Sequence, residues 1–536
     1  MMRNRQGINC SSGYFFALAL ALPVAQAVAA RAAEQVKITS GTLQGTTVAG
    51  TNVRAFLGIP FAAPPVGKLR WQPPQPVHPW QGVRQAVAFG PRCMQLRVFS
   101  DMVFRDKGPS EDCLYLNVWT PAPSASERLP VMFWIYGGGF EAGATSEPRQ
   151  EGLNLAKKGV VVVSCNYRLG IFGFFAHPAL AKESPHHAAG NYGLMDQIAA
   201  LRWVRENIAA FGGDPANVTI FGESAGSWSV SQLMASPLAK GLFQKAIGES
   251  GASFGAGPQL HSAPSLAQSE KAGEKFAHSI GANSLAALRA LPANKLLQES
   301  AKGNFWPNVD GYVLPQSVDR IFAEGRQSHV PLLAGWNKDE TVGNLYSKKN
   351  PPTAENLTKA IRKQFGPEAD QAMKYYPHAT QAEVRQSTET LASDFFTVYV
   401  TWKWLEMQNQ TGDSPVYRYL FTRTPPEPLS NTDDGIPLVK LGARHSAEIE
   451  YVFGVLKWKN IPWQPVDFKV SDAMMAYWSN FAKSGNPNGS GLPHWPQYTP
   501  QDRQVMDLGK EIHARPATDQ KRLEFIDSFI ARYRKH

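Results

Sequence analysis

Apolar runs of strand length recur along the chain: "LYLNVWT", "VMFWIYG", "VVVVSCNY", "VTIFGES", "AIGESG", "PLLAGWN" and "VYRYLF". Between several of them the apolar spacing switches to three and four residues, most clearly in "GLMDQIAALRWVRENIAAFGGDP", whose Gly-Gly-Asp-Pro end is a helix stop. Strands that are apolar nearly throughout must be covered on both faces. The pattern therefore predicts an α/β fold, with a central, mostly parallel sheet flanked by helices and any active site at the carboxyl ends of the strands. Ahead of this body, "VKITSGTLQGTTV" and "VRAFLGIPFA" predict a small N-terminal antiparallel sheet. Residues of about 255 to 330 and 345 to 410 read as large helical insertions. No linker-like stretch and no fixed-period repeat divides the chain, so residues 31–536 are expected to form one domain.

Residues 1–30 break this pattern. Arg3 and Arg5 precede the apolar "YFFALALALPVAQAVAA", and small residues follow at Ala27 to Ala30, the layout of a secretory signal peptide. Pro23 and Gln26 leave the run short of the ~20 residues of a spanning helix, and no later segment looks transmembrane. The expectation is an exported protein, periplasmic or secreted, with no membrane span once the segment is removed. Cysteine usage follows from export: Cys93 and Cys113 flank a polar loop and are expected to form a disulfide, while Cys165 lies in an apolar strand as a core thiol. A composition of 43% hydrophobic and 18% charged residues excludes a disordered chain. The net charge of +10 is spread along the sequence with no basic stripe interleaved with aromatics, which argues against a nucleic-acid partner.

The chemistry concentrates in "VTIFGESAGSWSV". A strand runs directly into Gly222-Glu223-Ser224-Ala225-Gly226, with a glycine two places to either side of one serine. A serine on a sharp strand-to-helix turn needs small neighbours there, and the helix that follows aims backbone N–H groups at developing negative charge. A nucleophilic serine needs a base, and the base needs an acid. His445, in "GARHSAEIEYVFG", follows the strand "VYRYLF", whereas His177, His186 and His187 sit in loop-like contexts ahead of the serine. After "LLAGWN", Asp339 and Glu340 are both candidates for the acid, and the residues alone leave that choice open. "VMFWIYGGGFEAG" ends a strand in Gly137, Gly138 and Gly139, a loop whose backbone amides suit an oxyanion. The order nucleophile, acid, base is that of an α/β-hydrolase triad.

These residues resemble the type-B carboxylesterase and cholinesterase family. The matching segments are "AFLGIPFAAPPVGKLRW", "SEDCLYLNVW", "WIYGGGF", "NYRLGIFGF", "GNYGLMDQ", "NIAAFGGDP", "FGESAGS", "NKDE" and "FAKSGNPN", and they run from about residue 36 to 490, nearly the whole mature chain. The resemblance implies an α/β-hydrolase fold with Ser224 as nucleophile, Glu340 as acid and His445 as base. It places the oxyanion amides on Gly138, Gly139 and Ala225, and the first disulfide on Cys93 with Cys113. The chain departs from cholinesterases in having no tryptophan in the disulfide loop, where Val103 and Phe104 stand, and in carrying Val342, Gly343 and Asn344 where that family has an aromatic pair. Choline specificity is therefore not expected. Phe305 and Trp306 fall where the family lines its acyl pocket. The likeness extends to exported bacterial carboxylesterases, including those that remove tricarballylate from fumonisin, and Arg92, Arg97 and Arg105 are then candidates to meet an anionic acyl group.

The sequence thus predicts a serine carboxylic-ester hydrolase working through an acyl-enzyme on a small-to-medium organic ester. It is expected to need no cofactor and no metal, to meet only a small-molecule ester substrate, and to be a monomer or homodimer. The rival readings are a non-catalytic adhesion or binding protein of the same fold, which would typically lack the nucleophile or base, and a lipase, for which no long apolar lid segment is evident.

Overall fold

Eleven strands share one sheet. In chain order they are β1 (Thr46–Thr47), β2 (Arg54–Pro60), β3 (Tyr115–Thr120), β4 (Leu129–Ile135), β5 (Val161–Cys165), β6 (Gly213–Glu223), β7 (Lys245–Glu249), β8 (Leu332–Asn337), β9 (Val416–Phe421), β10 (Gln504–Leu508) and β11 (Ile512–Pro516). Across the sheet they run β1-β2-β3-β5-β4-β6-β7-β8-β9-β10-β11. The block from β5 to β10 is parallel, bordered by antiparallel β3, β2 and β1 on one edge and by antiparallel β11 on the other. This is a computed structural model, which describes residues 34–255, 263–341, 351–426 and 442–533. The expected export segment and residues 342 to 344 lie outside the described residues.

The parallel strands are continuously apolar because they are sandwiched. Every residue of β5, β7 and β8 is buried. Helix α1 (Tyr192–Asn207) packs beside the sheet, and all of α2 (Ala225–Ala235) is buried. Covering both faces is what a parallel sheet requires. Among the described residues, no helix is long and apolar enough to cross a membrane.

Strand order sets the position of the site. The chain leaves β4 for β5 on one side, then returns through α1 to β6 on the other side of β4. The loops leaving β4 and β6 therefore emerge next to each other at their carboxyl ends, where open α/β sheets bind ligands. In register, Ile135 stands opposite Gly222, one residue ahead of Glu223.

Two expectations need adjustment. The N-terminal sheet is mixed: Gln35–Ile38 pairs antiparallel with Gly41–Gln44, but Val83–Gln85 adds to it in parallel. The segment "VRAFLGIP" instead joins the main sheet as β2, because Ala55, Phe56 and Ile59 are fully apolar anchors that β3 covers. The C-terminal pair β10 and β11 was not anticipated; both are short, and β11 interrupts its apolar residues with His513 and Arg515, too weak a pattern to stand out. The expected helical excursions are present, as Leu266–Ser279, Leu285–Ala290, Ala293–Glu299 and Val318–Ala323, then Ala354–Phe365, Gln381–Ser393 and Tyr399–Thr411.

Candidate active site

The turn after β6 is strained at one residue. Ser224 has φ 54° and ψ −123°, a conformation that non-glycine residues rarely hold. Such backbone costs on the order of 1–3 kcal/mol and persists only where its surroundings fix it. Here the Ser224 amide donates to the Glu249 carbonyl at 2.9 Å, and the Ser224 carbonyl accepts from the Trp228 amide at 2.9 Å. The helix also lies hard against the end of β4: a Cβ on Gly226 would stand 2.0 Å from the Ile135 carbonyl oxygen, and one on Gly222 would stand 2.6 Å from it. Both glycines are thus required by close backbone approach.

The loop leaving β4 faces this turn. Gly138 has φ +102°, and a Cβ there would meet the Ala142 carbonyl oxygen at 2.2 Å. The Gly138 carbonyl accepts from the amides of Glu141 and Ala142, at 3.1 and 3.0 Å, which closes a tight turn. Among the described residues, no acceptor takes a hydrogen bond from the amides of Gly138, Gly139 or Ala225. These three donors are unengaged, and that of Ala225 stands at the positive end of α2, where negative charge is favoured.

Glu340 and His445 come from the loops after β8 and β9. Asp339 does not face the imidazole: its Oδ2 accepts from the Ala443 amide at 2.9 Å, and its own amide donates to the Ala443 carbonyl at 3.0 Å. That pairing docks the histidine loop. Glu340 then points inward, with Oε1 accepting from the Asn337 amide at 2.8 Å and Oε2 lying 2.6 Å from His445 Nδ1. The two neighbouring carboxylates do different work. His445 is 23% exposed on its side chain and packs edge-on against Phe396, with ring centroids 4.9 Å apart.

His445 Nε2 lies 3.2 Å from Glu223 Oε1, and Ser224 Oγ itself makes no hydrogen bond among the described residues. The structure therefore brings Glu340 and His445 into contact and sets Ser224 next to the residue that His445 touches. Catalytic hydrogen bonds are often loose before substrate binds. Burial pushes the His445 proton affinity down, but the attraction of Glu223 and Glu340 outweighs it and the net shift is upward. Burial pushes the Glu223 carboxyl above its ordinary range, against the pull of His445 and Arg149.

Sequence reasoning missed this surrounding shell of carboxylates. Glu448 is fully buried and accepts from Asn337 Nδ2, and Glu249 accepts from Trp478 Nε1 at 2.8 Å. Burial raises both, Glu249 to about 8. Glu223 lay in plain view inside "GESAG", but a variable position between fixed ones gives no sign of which way its side chain turns.

A cavity of about 340 Å³ lies beside the elbow, walled by Phe140, Trp228, Phe305 and Trp306, with Gln232 and Ser253 among its polar residues. The Trp306 ring lies 5.8 Å from Phe140 and 5.3 Å from Trp228. Phe140 follows Gly138 and Gly139, and Trp228 sits one turn after Ser224, so both tie this cavity to the elbow. Phe305 is 8% exposed and packs mainly against Phe175 and Phe276, at 5.9 and 5.2 Å. The structure does not bring Arg105 there. Its Nη1 pairs with Glu151 at 2.5 Å, its Nε donates to the Ser146 carbonyl, and it lines a separate surface depression. Arg92 is paired with Asp106 at 2.6 Å, and Arg97 is exposed. Cys93 and Cys113 form the disulfide, with Cα atoms 4.9 Å apart, and Cys165 is a buried free thiol.

An elbow serine, a carboxylate-held histidine and free amides on a mostly parallel sheet define a serine hydrolase of the α/β-hydrolase fold. The carboxylesterase family pattern matches residues 32–526, and the chain belongs to that family. It is 38% identical over 507 residues to a fumonisin B1 esterase of Sphingopyxis macrogoltabida, covering 88% of this chain and 86% of that protein. It is 37% identical over 484 residues to the para-nitrobenzyl esterase of Bacillus subtilis strain 168, covering 88% and 94%. Among solved structures, a PNB esterase superposes with a TM-score of 0.78 at 35% identity, over 92% of this chain and 99% of that one. A Geobacillus stearothermophilus carboxylesterase does so with a TM-score of 0.77 at 33% identity, over 91% and 99%. The protein is an ester hydrolase.

Proposed function

We propose that Ser224 attacks the ester carbonyl while His445 takes its proton and Glu340 holds the imidazole by Nδ1. The amides of Gly138, Gly139 and Ala225 receive the oxyanion. The alcohol leaves with the proton from His445, and water, with its proton taken by the same ring, then releases the acid from Ser224. The observation that carries this reading is the 2.6 Å contact between His445 Nδ1 and Glu340 Oε2 beside a serine held at φ 54°. Ser224→Ala is expected to lower kcat by about 100,000-fold while the protein stays folded. Turnover at the wild-type rate in that variant overturns the mechanism.

For the acyl group, the aromatic walls and uncharged polar residues of the cavity favour a neutral, aromatic or medium-sized acid. The likeness to a fumonisin B1 esterase favours a second reading, a polycarboxylate such as tricarballylate. A panel of neutral, aromatic and tricarballylate esters separates them by kcat/KM. The substrate is met as a small molecule. The disulfide and the basic, apolar, small-residue layout of residues 1–30 support export.

A further inference from the structure

Arg149 lies in the short turn Pro148–Gln150 and is 6% exposed. Its Nε donates to Glu147 Oε2 at 2.7 Å, and its Nη1 stands 3.5 Å from Ser446 Oγ and 3.7 Å from Asp101 Oδ2. Ser446 immediately follows His445 and has φ +64°, so the histidine loop is strained where Arg149 reaches it. Asp101 belongs to the loop closed by Cys93 and Cys113. Glu147 Oε1 accepts from Gln150 Nε2 at 3.1 Å, and Gln150 Oε1 accepts from Trp134 Nε1 of β4 at 2.7 Å. The guanidinium thus joins three parts of the molecule: the end of β4, the disulfide-closed loop and the loop of the base.

The groups that face His445 are mostly anionic. Glu340 comes from the loop after β8, Glu223 from the end of β6, and Glu448 stands behind them through Asn337; Phe396 covers the ring edge. Glu147, Glu450 and Asp101 surround the guanidinium itself, and Lys459 pairs with Glu450 at 2.6 Å. A histidine enclosed by carboxylates holds its proton too firmly to serve as a base near neutral pH. Arg149 is the cation that opposes this effect on both His445 and Glu223.

We propose that Arg149 is a positioning residue for the catalytic histidine, tying the His445 loop to β4 and to the disulfide-closed loop and supplying the positive charge that keeps the imidazole available as a base. The inference rests on the assignment of Ser224, Glu340 and His445. Its sign does not depend on how His445 and Glu223 share their protons: removing a nearby cation makes the pair as a whole bind protons more tightly.

The test compares Arg149→Gln and Arg149→Met, both neutral, with Arg149→Lys, which keeps the charge but loses the planar fork. In the neutral variants the acid limb of kcat/KM is expected to move up by on the order of one pH unit. In Arg149→Lys the limb stays in place while the plateau falls, because an ammonium cannot hold Glu147 and reach Ser446 together. The second readout needs no turnover: the His445 Cε1–H resonance, titrated by NMR in a Ser224→Ala background, moves upward in the neutral variants. An unmoved titration there, or a displaced one in the lysine variant, overturns the proposal. Loss of fold in both neutral variants, judged by circular dichroism, overturns it as well, since the charge would then serve structure alone. Failure of the esterase mechanism shows separately, as turnover that survives Ser224→Ala.

Discussion

At the scale of residues, the site divides labour between neighbours that look alike. Asp339 and Glu340 are adjacent carboxylates, yet one holds the backbone of Ala443 and the other the ring of His445. Glu340→Gln is expected to lower kcat on the order of 10,000-fold with little change in unfolding midpoint. Asp339→Ala should do the reverse, costing about 1–3 kcal/mol in urea unfolding by leaving the Ala443 amide without its acceptor. A sequence shows two acids in a loop; only the return of the histidine loop beside β8 gives them different contacts, so the residue pattern left them alike and only the resemblance told them apart. Glu223 yields a pH prediction of defined sign. Glu223→Gln removes an anion that strengthens proton binding by His445, so the acid limb of kcat/KM should move to lower pH. A limb that stays put would show that the 3.2 Å contact carries no electrostatic weight.

At the scale of elements, the elbow works because β4, β6 and α2 converge on a few backbone atoms. Gly226→Ala places a methyl 2.0 Å from the Ile135 carbonyl oxygen, and that oxygen belongs to a strand paired on both sides. Neither partner can yield cheaply, so the variant should lose about 3 kcal/mol of stability, read as a lower urea midpoint, and its kcat should fall as Ser224 shifts. This element was the most legible part of the chain, since a strand, two glycines and a serine state their geometry directly. The aromatic cavity was half legible. Trp306 and Phe305 were expected to line it, but Trp228 and Phe140 join them from α2 and from the loop after β4. Arg105 illustrates the opposite failure: a charge near the right loop says nothing about direction, and Glu151 takes it elsewhere.

At the scale of the whole molecule, the parallel sheet was legible because burial on both faces writes itself as unbroken apolar runs, while the short β10 and the partly exposed edge strand β11 left a faint trace. The order of strands could not be read, because no residue pattern says that β6 pairs with β4 and not with β5. That order brings together groups far apart in the chain: Glu340 and His445 are separated by 105 positions, and Arg149 and Ser446 by 297. Contacts of such range wait on the closure of long loops. In refolding from urea, far-UV circular dichroism should therefore recover before ester hydrolysis does; simultaneous recovery would contradict this order. Hydrolytic competence then reports that the last long loops have docked, so a partly folded chain does not yet cleave esters.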